Sequence, residues 1–307
     1  MKKFIYLLFV ISIVFSCKNQ ENSTTENTME KIQNPISLAQ WSYHKALFAG
    51  EMDNFSFIKK AAELGFDGVE YVNAFFMDKA QNTAFLDSLK QVAAENNVKS
   101  LLIMIDGEGY LGDADILKRD STVEKHKKWV DAAAYLGCHS IRVNAFGEGS
   151  PEEVSAAVVD GLTKLSVYAK TKNINVIVEN HGGYSSNGQW LADVMAKVNL
   201  DNCGTLPDFG NFCVKREDGA MWGSPCAEEY DRYKGVEEMM PYAKALSAKS
   251  HDFDENGEEK HTDYGKMIAI AHAAGYKGYI GVEYEGSEKS EEEGVILTRD
   301  LIRAKLK

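Results

Sequence analysis

One phrase recurs along this chain, and it limits the fold more than any other feature. The segment 61–70 runs Ala61-Ala62, then Gly65, then Gly68-Val69-Glu70. It is echoed over 133–142 by Ala133-Ala134, Gly137 and Ser140-Ile141-Arg142, and over 273–283 by Ala273-Ala274, Gly275 and Ile280-Gly281-Val282-Glu283. Each copy reads as a helix end, a glycine able to take the left-handed capping conformation, a short turn, and a β-rich run closing on a polar residue. Internal repetition of this kind points to one supersecondary unit used many times.

The spacing predicts strands at 36–41, 68–71, 99–105, 140–144, 175–179, 204–207, 245–250 and 279–283. Most are short continuous apolar runs, as expected for parallel strands covered on both faces. Helical patterns lie between them. Asp53 can cap a helix that buries Phe57, Ile58, Ala61 and Leu64, and Asp263 one that buries Met267, Ile270, Ala271 and Ala274. Eight strands alternating with eight helices over residues 35–307 predict an α/β chain folded as a single (β/α)8 TIM barrel. A doubly wound sheet is the alternative, but no glycine-rich dinucleotide or phosphate loop follows any strand.

The residues before the barrel carry a different message. Lys2 and Lys3 precede an apolar run over 4–15 that is too short to span a bilayer, which takes ~20 residues. The run ends at Val14-Phe15-Ser16-Cys17, the layout of an export signal over 1–17 of the lipoprotein type, with Cys17 as the lipidated residue. Residues 18–34 are polar and read as a flexible tether. The expected location is outside the cytoplasm, in the periplasm or at the outer membrane, with membrane contact only through that lipid.

The whole chain carries −12. Because the signal is +2 and the tether −1, the barrel holds −13. An acidic body without a basic stripe argues against nucleic acid as a partner. Of the later cysteines, Cys138 and Cys203 fall beside core strands as buried thiols. Cys213 and Cys226 share one loop and could pair in an oxidising compartment; the cysteine spacing matches no zinc pattern.

Chemistry in such barrels sits where strands run out into βα loops. The strand-closing residues are Trp41, Glu70, Asp106, Asn144, Glu179, Asp208, the pair Lys249 and His251, and Glu283. Carboxylates crowded into a narrow mouth repel one another and lose solvation, and a bound cation relieves both. Glu179 follows an apolar strand and precedes Asn180-His181-Gly182-Gly183, an odd setting for a solvated surface acid. Asp208 reads either as a ligand or as a turn-capping residue. Gly281, just before Glu283, would admit a close approach by backbone or ligand. Of the histidines, His126, His139 and His272 read as structural. By strand alternation His251 faces the same way as Ser247 and Lys249, so an imidazole could join the three carboxylates around a divalent ion.

With these residues in place, the chain resembles the xylose-isomerase-like sugar isomerase/epimerase superfamily. Glu-Asn-His falls on Glu179, Asn180 and His181, Asp-x-x-Asn on Asp208 and Asn211, and the terminal glutamate on Glu283. The resemblance implies one divalent metal held by Glu179, Asp208, His251 and Glu283, Mn²⁺ first, with Mg²⁺, Co²⁺ or Zn²⁺ as alternatives. It implies that Glu179 and Glu283 remove and return a proton beside a sugar carbonyl, giving isomerisation or epimerisation. Trp41, Glu70, Asn144, His181, Asn211 and Lys249 would hold the substrate. The family's His-x-Lys-Asp is interrupted, since Ser247 stands where its histidine would be. Three outcomes remain open: His251 supplies the imidazole, the shell is more open, or the metal is lost. A neutral or keto sugar is expected rather than a sugar phosphate, because Arg142 is the only arginine near a strand end and no phosphate cradle follows the last strands. Elimination β to the ketone of a 3-keto-glycoside is an alternative activity, and non-catalytic sugar binding another. The segment 214–233, with Trp222, reads as a lid or as a contact in a homo-oligomer.

Overall fold

The computed structural model describes Met1 and residues 34–307. The export signal, Cys17 and the tether up to residue 33 lie outside the described residues. Asn34 already belongs to the barrel: it is buried, and its side-chain amide donates to Gly278 O at 2.8 Å.

The chain runs β1 (Ile36–Ala39), α1 (His44–Phe48), α2 (Asn54–Glu63), β2 (Gly68–Val72), α3 (Thr83–Glu95), β3 (Lys99–Met104), α4 (Ile116–Leu136), β4 (Ser140–Val143), α5 (Pro151–Lys170) and β5 (Asn175–Glu179). It continues through α6 (Gly188–Val198), β6 (Cys203–Leu206), a hairpin of β7 (Cys213–Arg216) and β8 (Cys226–Glu229), α7 (Arg232–Met239), β9 (Leu246–Ser250), α8 (Tyr264–Ala273), β10 (Ile280–Tyr284) and α9 (Glu291–Lys305). The helices start where the sequence offers caps: Asp53 accepts from the Phe55 and Ser56 N–H groups, and Asp263 from Lys266. Gly137 ends α4 at φ +81°, in the left-handed conformation its sequence position predicts.

Eight parallel strands lie in the order β6-β5-β4-β3-β2-β1-β10-β9. The two ends of that order meet through parallel bridges pairing Thr205 with Ala243 and Asp208 with Ser247, so the sheet closes on itself as a single-domain TIM barrel. Side chains alternate across each strand. Ile103, Val176 and Val178 face the helices in the large outer core. Leu102, Met104, Ile177 and Leu206 form a second, smaller cluster with Ala39 and Val72. That inner layer sets the site, because Glu179 stands two residues after Ile177 and Asp208 two after Leu206. The barrel's own pleat therefore aims both carboxylates inward.

The segment 214–233 differs from a plain loop. It holds most of the β7–β8 hairpin, which starts at Cys213 and is closed by a Cys213–Cys226 disulfide with the Cα atoms 5.7 Å apart. Cys138 and Cys203 are buried free thiols, as expected.

Candidate active site

Glu179, Asp208 and Glu283 converge at the strand ends, each fully buried, with one oxygen from each within 4.8 Å of the others. Their contacts are distinct. Asp208 Oδ1 accepts from the Gly210 and Asn211 N–H groups, each at 2.8 Å, and its Oδ2 accepts from the Ser247 hydroxyl at 2.6 Å. Glu179 Oε1 accepts from the Asn211 amide at 3.0 Å. Its Oε2 lies 2.9 Å from Arg142 Nε, an ion pair out of line for a hydrogen bond, so that oxygen has no hydrogen-bond partner. Glu283 Oε1 pairs with Lys249 Nζ at 3.0 Å.

Two internal cations thus share the floor. Arg142 lies two residues before Asn144 on the inward face of β4 and ties Asp106 Oδ1 at 2.9 Å as well as Glu179. Lys249 also reaches Glu285 Oε1 and Asn211 Oδ1, both at 3.3 Å. Charge crowding at the mouth is therefore relieved in part by the protein's own side chains. From sequence Asp106 was only one of the strand-closing residues, Arg142 only a possible phosphate contact, and Glu285 was not singled out, yet alternation marks the last two. Arg142 precedes Asn144 by two residues and Glu285 follows Glu283 by two.

Burial pushes Glu283 up to about 8 and raises Glu179 and Asp208; Lys249 opposes the rise at all three, and at Glu179 Arg142 opposes it more strongly than Lys249 without cancelling it. Burial also opposes ionisation of Asp106, but Arg142 outweighs it and holds that carboxyl at about 2. For Lys249, Glu283 and Glu285 outweigh the burial and keep it protonated, well above its usual value.

A cavity of about 850 Å³ opens above this floor. Trp41, Asn144, His181, Asn211, Lys249 and Glu283, all candidate site residues from the sequence, line it. Asn144 links two of its neighbours, donating to Asp106 Oδ1 at 2.7 Å and meeting His181 Nδ1 at 2.8 Å. His126 lines it too, although its place within α4 marked it as structural; its Nδ1 is engaged by Thr122 O at 2.8 Å.

Two expectations need correction. Glu70 is not on the cavity wall. β2 continues to Val72, so Glu70 sits inside the barrel, where it accepts from the Ser37 hydroxyl at 2.6 Å and burial pushes it up to about 7. Gly281 is small for the same reason, because a Cβ there would stand 2.6 Å from Glu70 Oε1. Nor does His251 join the three carboxylates. β9 ends at Ser250, so strand alternation no longer governs His251, and its N–H is drawn to Glu259 Oε1 at 3.3 Å. Its ring lies 6.3 Å from that of His261, and the group of potential ligands among the described residues contains no imidazole. Ser247 takes that corner with a hydroxyl bonded to Asp208.

The donor set fits a hard divalent cation: three carboxylates with oxygens in mutual reach, one of which, Glu179 Oε2, lacks any hydrogen-bond donor.

Comparison with known proteins places this architecture. The model of the family described as xylose isomerase-like TIM barrel matches residues 58–305, and the chain belongs to that family. Among solved structures, 3-keto-D-glucoside 4-epimerase from E. coli superposes with a TM-score of 0.68 at 14% identity, covering 89% of this chain and 100% of that one. An L-ribulose 3-epimerase gives 0.67 at 14% identity over 89% and 95% of the two chains. A xylose isomerase-like TIM barrel protein from Mycobacterium smegmatis, in complex with magnesium, gives 0.63 at 17% identity over 90% and 98%. At such identities the likeness is one of fold. No curated protein matches the chain significantly in sequence.

Proposed function

We propose that this protein is a metal-dependent sugar isomerase or epimerase that moves a proton at a carbon next to a carbonyl. The observation that carries the reading is the buried triad of Glu179, Asp208 and Glu283 at the floor of a barrel-mouth cavity, flanked by Arg142 and Lys249. The named activities of two structural neighbours, a 3-keto-D-glucoside 4-epimerase and an L-ribulose 3-epimerase, support it.

Glu179, Asp208 and Glu283 would hold the cation. Without an imidazole the set is all oxygen, which favours Mn²⁺ or Mg²⁺ over the softer choices. When bound, the metal supplies Lewis-acid polarisation of neighbouring sugar oxygens.

The chain's own groups do the rest. Glu283 faces the cavity, where its carboxylate can take a proton from the substrate carbon and return it. Glu179 serves the opposite half of the transfer, its Oε2 free of hydrogen-bond donors. Lys249 and Arg142 place fixed positive charge beside the enediolate oxygens that develop as the proton leaves. Asn211 and His181 orient substrate hydroxyls from the cavity wall. Arg142 is bound by Asp106 and Glu179 and is not free to grip a phosphate, which supports an uncharged sugar.

Export, with anchoring at Cys17, belongs to the same proposal. The Cys213–Cys226 disulfide supports an oxidising compartment.

Incubation of the Mn²⁺-loaded protein with simple ketoses and 3-keto-glycosides, followed by NMR of the products, tests the reading. An epimer or isomer is expected. An unsaturated sugar with loss of the aglycone would mark a lyase, and no product from any of them would mark a binding protein; either overturns the isomerase assignment.

A further inference from the structure

The cavity is too large and too apolar at its rim for a single sugar ring. At about 30 Å³ per water-sized group, the roughly twelve non-hydrogen atoms of a hexose fill about two-fifths of its 850 Å³. The polar groups lie on the floor, whereas the rim is aromatic. On one side Trp41 stacks on His44 with centroids 4.9 Å apart, and Phe48 meets Trp41 edge-on at 6.1 Å. On the other, His181, Phe146 and Trp222 cluster together, with His181 6.0 Å from Phe146 and 4.7 Å from Trp222, and Phe146 edge-on to Trp222 at 6.5 Å. Three of the cavity's aromatic residues remain open to solvent: Phe48 is 64% exposed, Trp222 46% and Tyr110 45%. Large exposed aromatics gathered round one opening mark a surface that gains from being covered.

Trp222 is also held in place. It sits at the tip of the disulfide-closed β7–β8 hairpin. Arg216 clasps the tip, donating to Met221 O at 3.0 Å and Ser224 O at 2.5 Å, with its guanidinium 5.9 Å from the indole centroid. The tip rests on Gly182, where a Cβ would come within 3.1 Å of the Trp222 ring, and which holds φ +89°. A side chain restrained from three directions, yet left half exposed over the cavity, is built to meet a ligand.

We propose that the substrate is a glycoside whose reacting ring lies on the Glu283–Lys249 floor and whose aglycone, a second sugar ring or an aromatic group, packs on Trp222 at a distal subsite. This inference rests on the sugar-enolising reading of the floor. The flat face of either kind of aglycone suits an indole, and the rim offers few charged groups that would have to be stripped of water.

Calorimetric titration of the full-length protein with 3-keto-D-glucose, 3-keto-cellobiose and 4-nitrophenyl 3-keto-β-D-glucoside tests it. The two glycosides are expected to bind at least tenfold more tightly than the monosaccharide. Trp222→Ala should bring that ratio to within threefold of one, and Phe48→Ala, on the other rim and off the hairpin, should shrink it independently. A preference for cellobiose alone identifies a sugar aglycone, and for the nitrophenyl compound alone an aromatic one. Equal affinities for all three, no binding at millimolar concentration, or a preference that survives both substitutions would overturn the subsite. Deuterium uptake by a simple ketose, measured alongside, keeps the two proposals apart. Uptake without glycoside preference sinks only the subsite, and preference without uptake from any of the ligands sinks only the enolising floor.

Discussion

Ser247 donates its hydroxyl to Asp208 Oδ2 at 2.6 Å across the seam where β6 meets β9. The bond that helps close the barrel is thus the same one that fixes a carboxylate of the site. Both residues are fully buried. Replacing Ser247 by Ala strips the only side-chain donor from that oxygen and should lower unfolding stability by about 1–3 kcal/mol. Urea denaturation at neutral pH reads this directly, and a loss below a few tenths would show that the seam does not depend on the bond.

Arg142 is expected to be the more sensitive position. It is buried and compensates both Asp106 and Glu179. Arg142→Met leaves buried Glu179 and part-exposed Asp106 without their cation; for the buried acid alone such a loss typically costs ~3–5 kcal/mol. Arg142→Lys should recover only part of this, because an ammonium cannot reproduce the planar fork. Thermal and urea melts of the two variants check the order, and equal stability of Lys and Met would refute it.

Gly281 and Glu70 form a coupled pair. Gly281→Ala forces the Glu70 carboxyl aside and should cost about 1–3 kcal/mol as an overpacked core site. In a Glu70→Ala background the same substitution should cost less than half as much. A double-mutant cycle with no interaction energy would mean that another contact excludes the side chain.

Acid should weaken the fold through His126. Burial pulls its imidazole below the ordinary value of 6.5, so the folded protein keeps it neutral where the unfolded chain takes a proton. The resulting penalty is absent above pH 6.5 and grows as pH falls below it. For one proton the slope cannot exceed ~1.4 kcal/mol per pH unit. His126→Gln should flatten the pH–stability curve just below pH 6.5, and an unchanged slope would count against a neutral buried imidazole.

The barrel was legible because its signal is repeated: three copies of one helix–glycine–strand phrase and eight apolar runs left little room for another fold. The three carboxylates were legible because each closes such a run. Arg142 was weighed only as a phosphate contact, because attention to each strand's last residue overlooks the structural part played by the one two positions earlier, which faces the same way. His251 was misplaced by extending alternation past Ser250, where the strand has ended and Glu259 holds the backbone. The β7–β8 hairpin was hidden because its second strand, Cys-Ala-Glu-Glu, is wholly exposed and carries no apolar alternation. Gly281 was correctly read as a point of close approach, but the approaching group is Glu70 rather than a ligand.

The most direct test of proton transfer at this floor is solvent exchange. The Mn²⁺-loaded protein, incubated with a ketose or 3-keto-glycoside in heavy water, should introduce deuterium at the carbon beside the carbonyl. Glu283→Gln and Glu179→Gln should each abolish the uptake while circular dichroism shows the barrel intact. Deuterium incorporation that continues undiminished in either variant would contradict the roles assigned to the two glutamates.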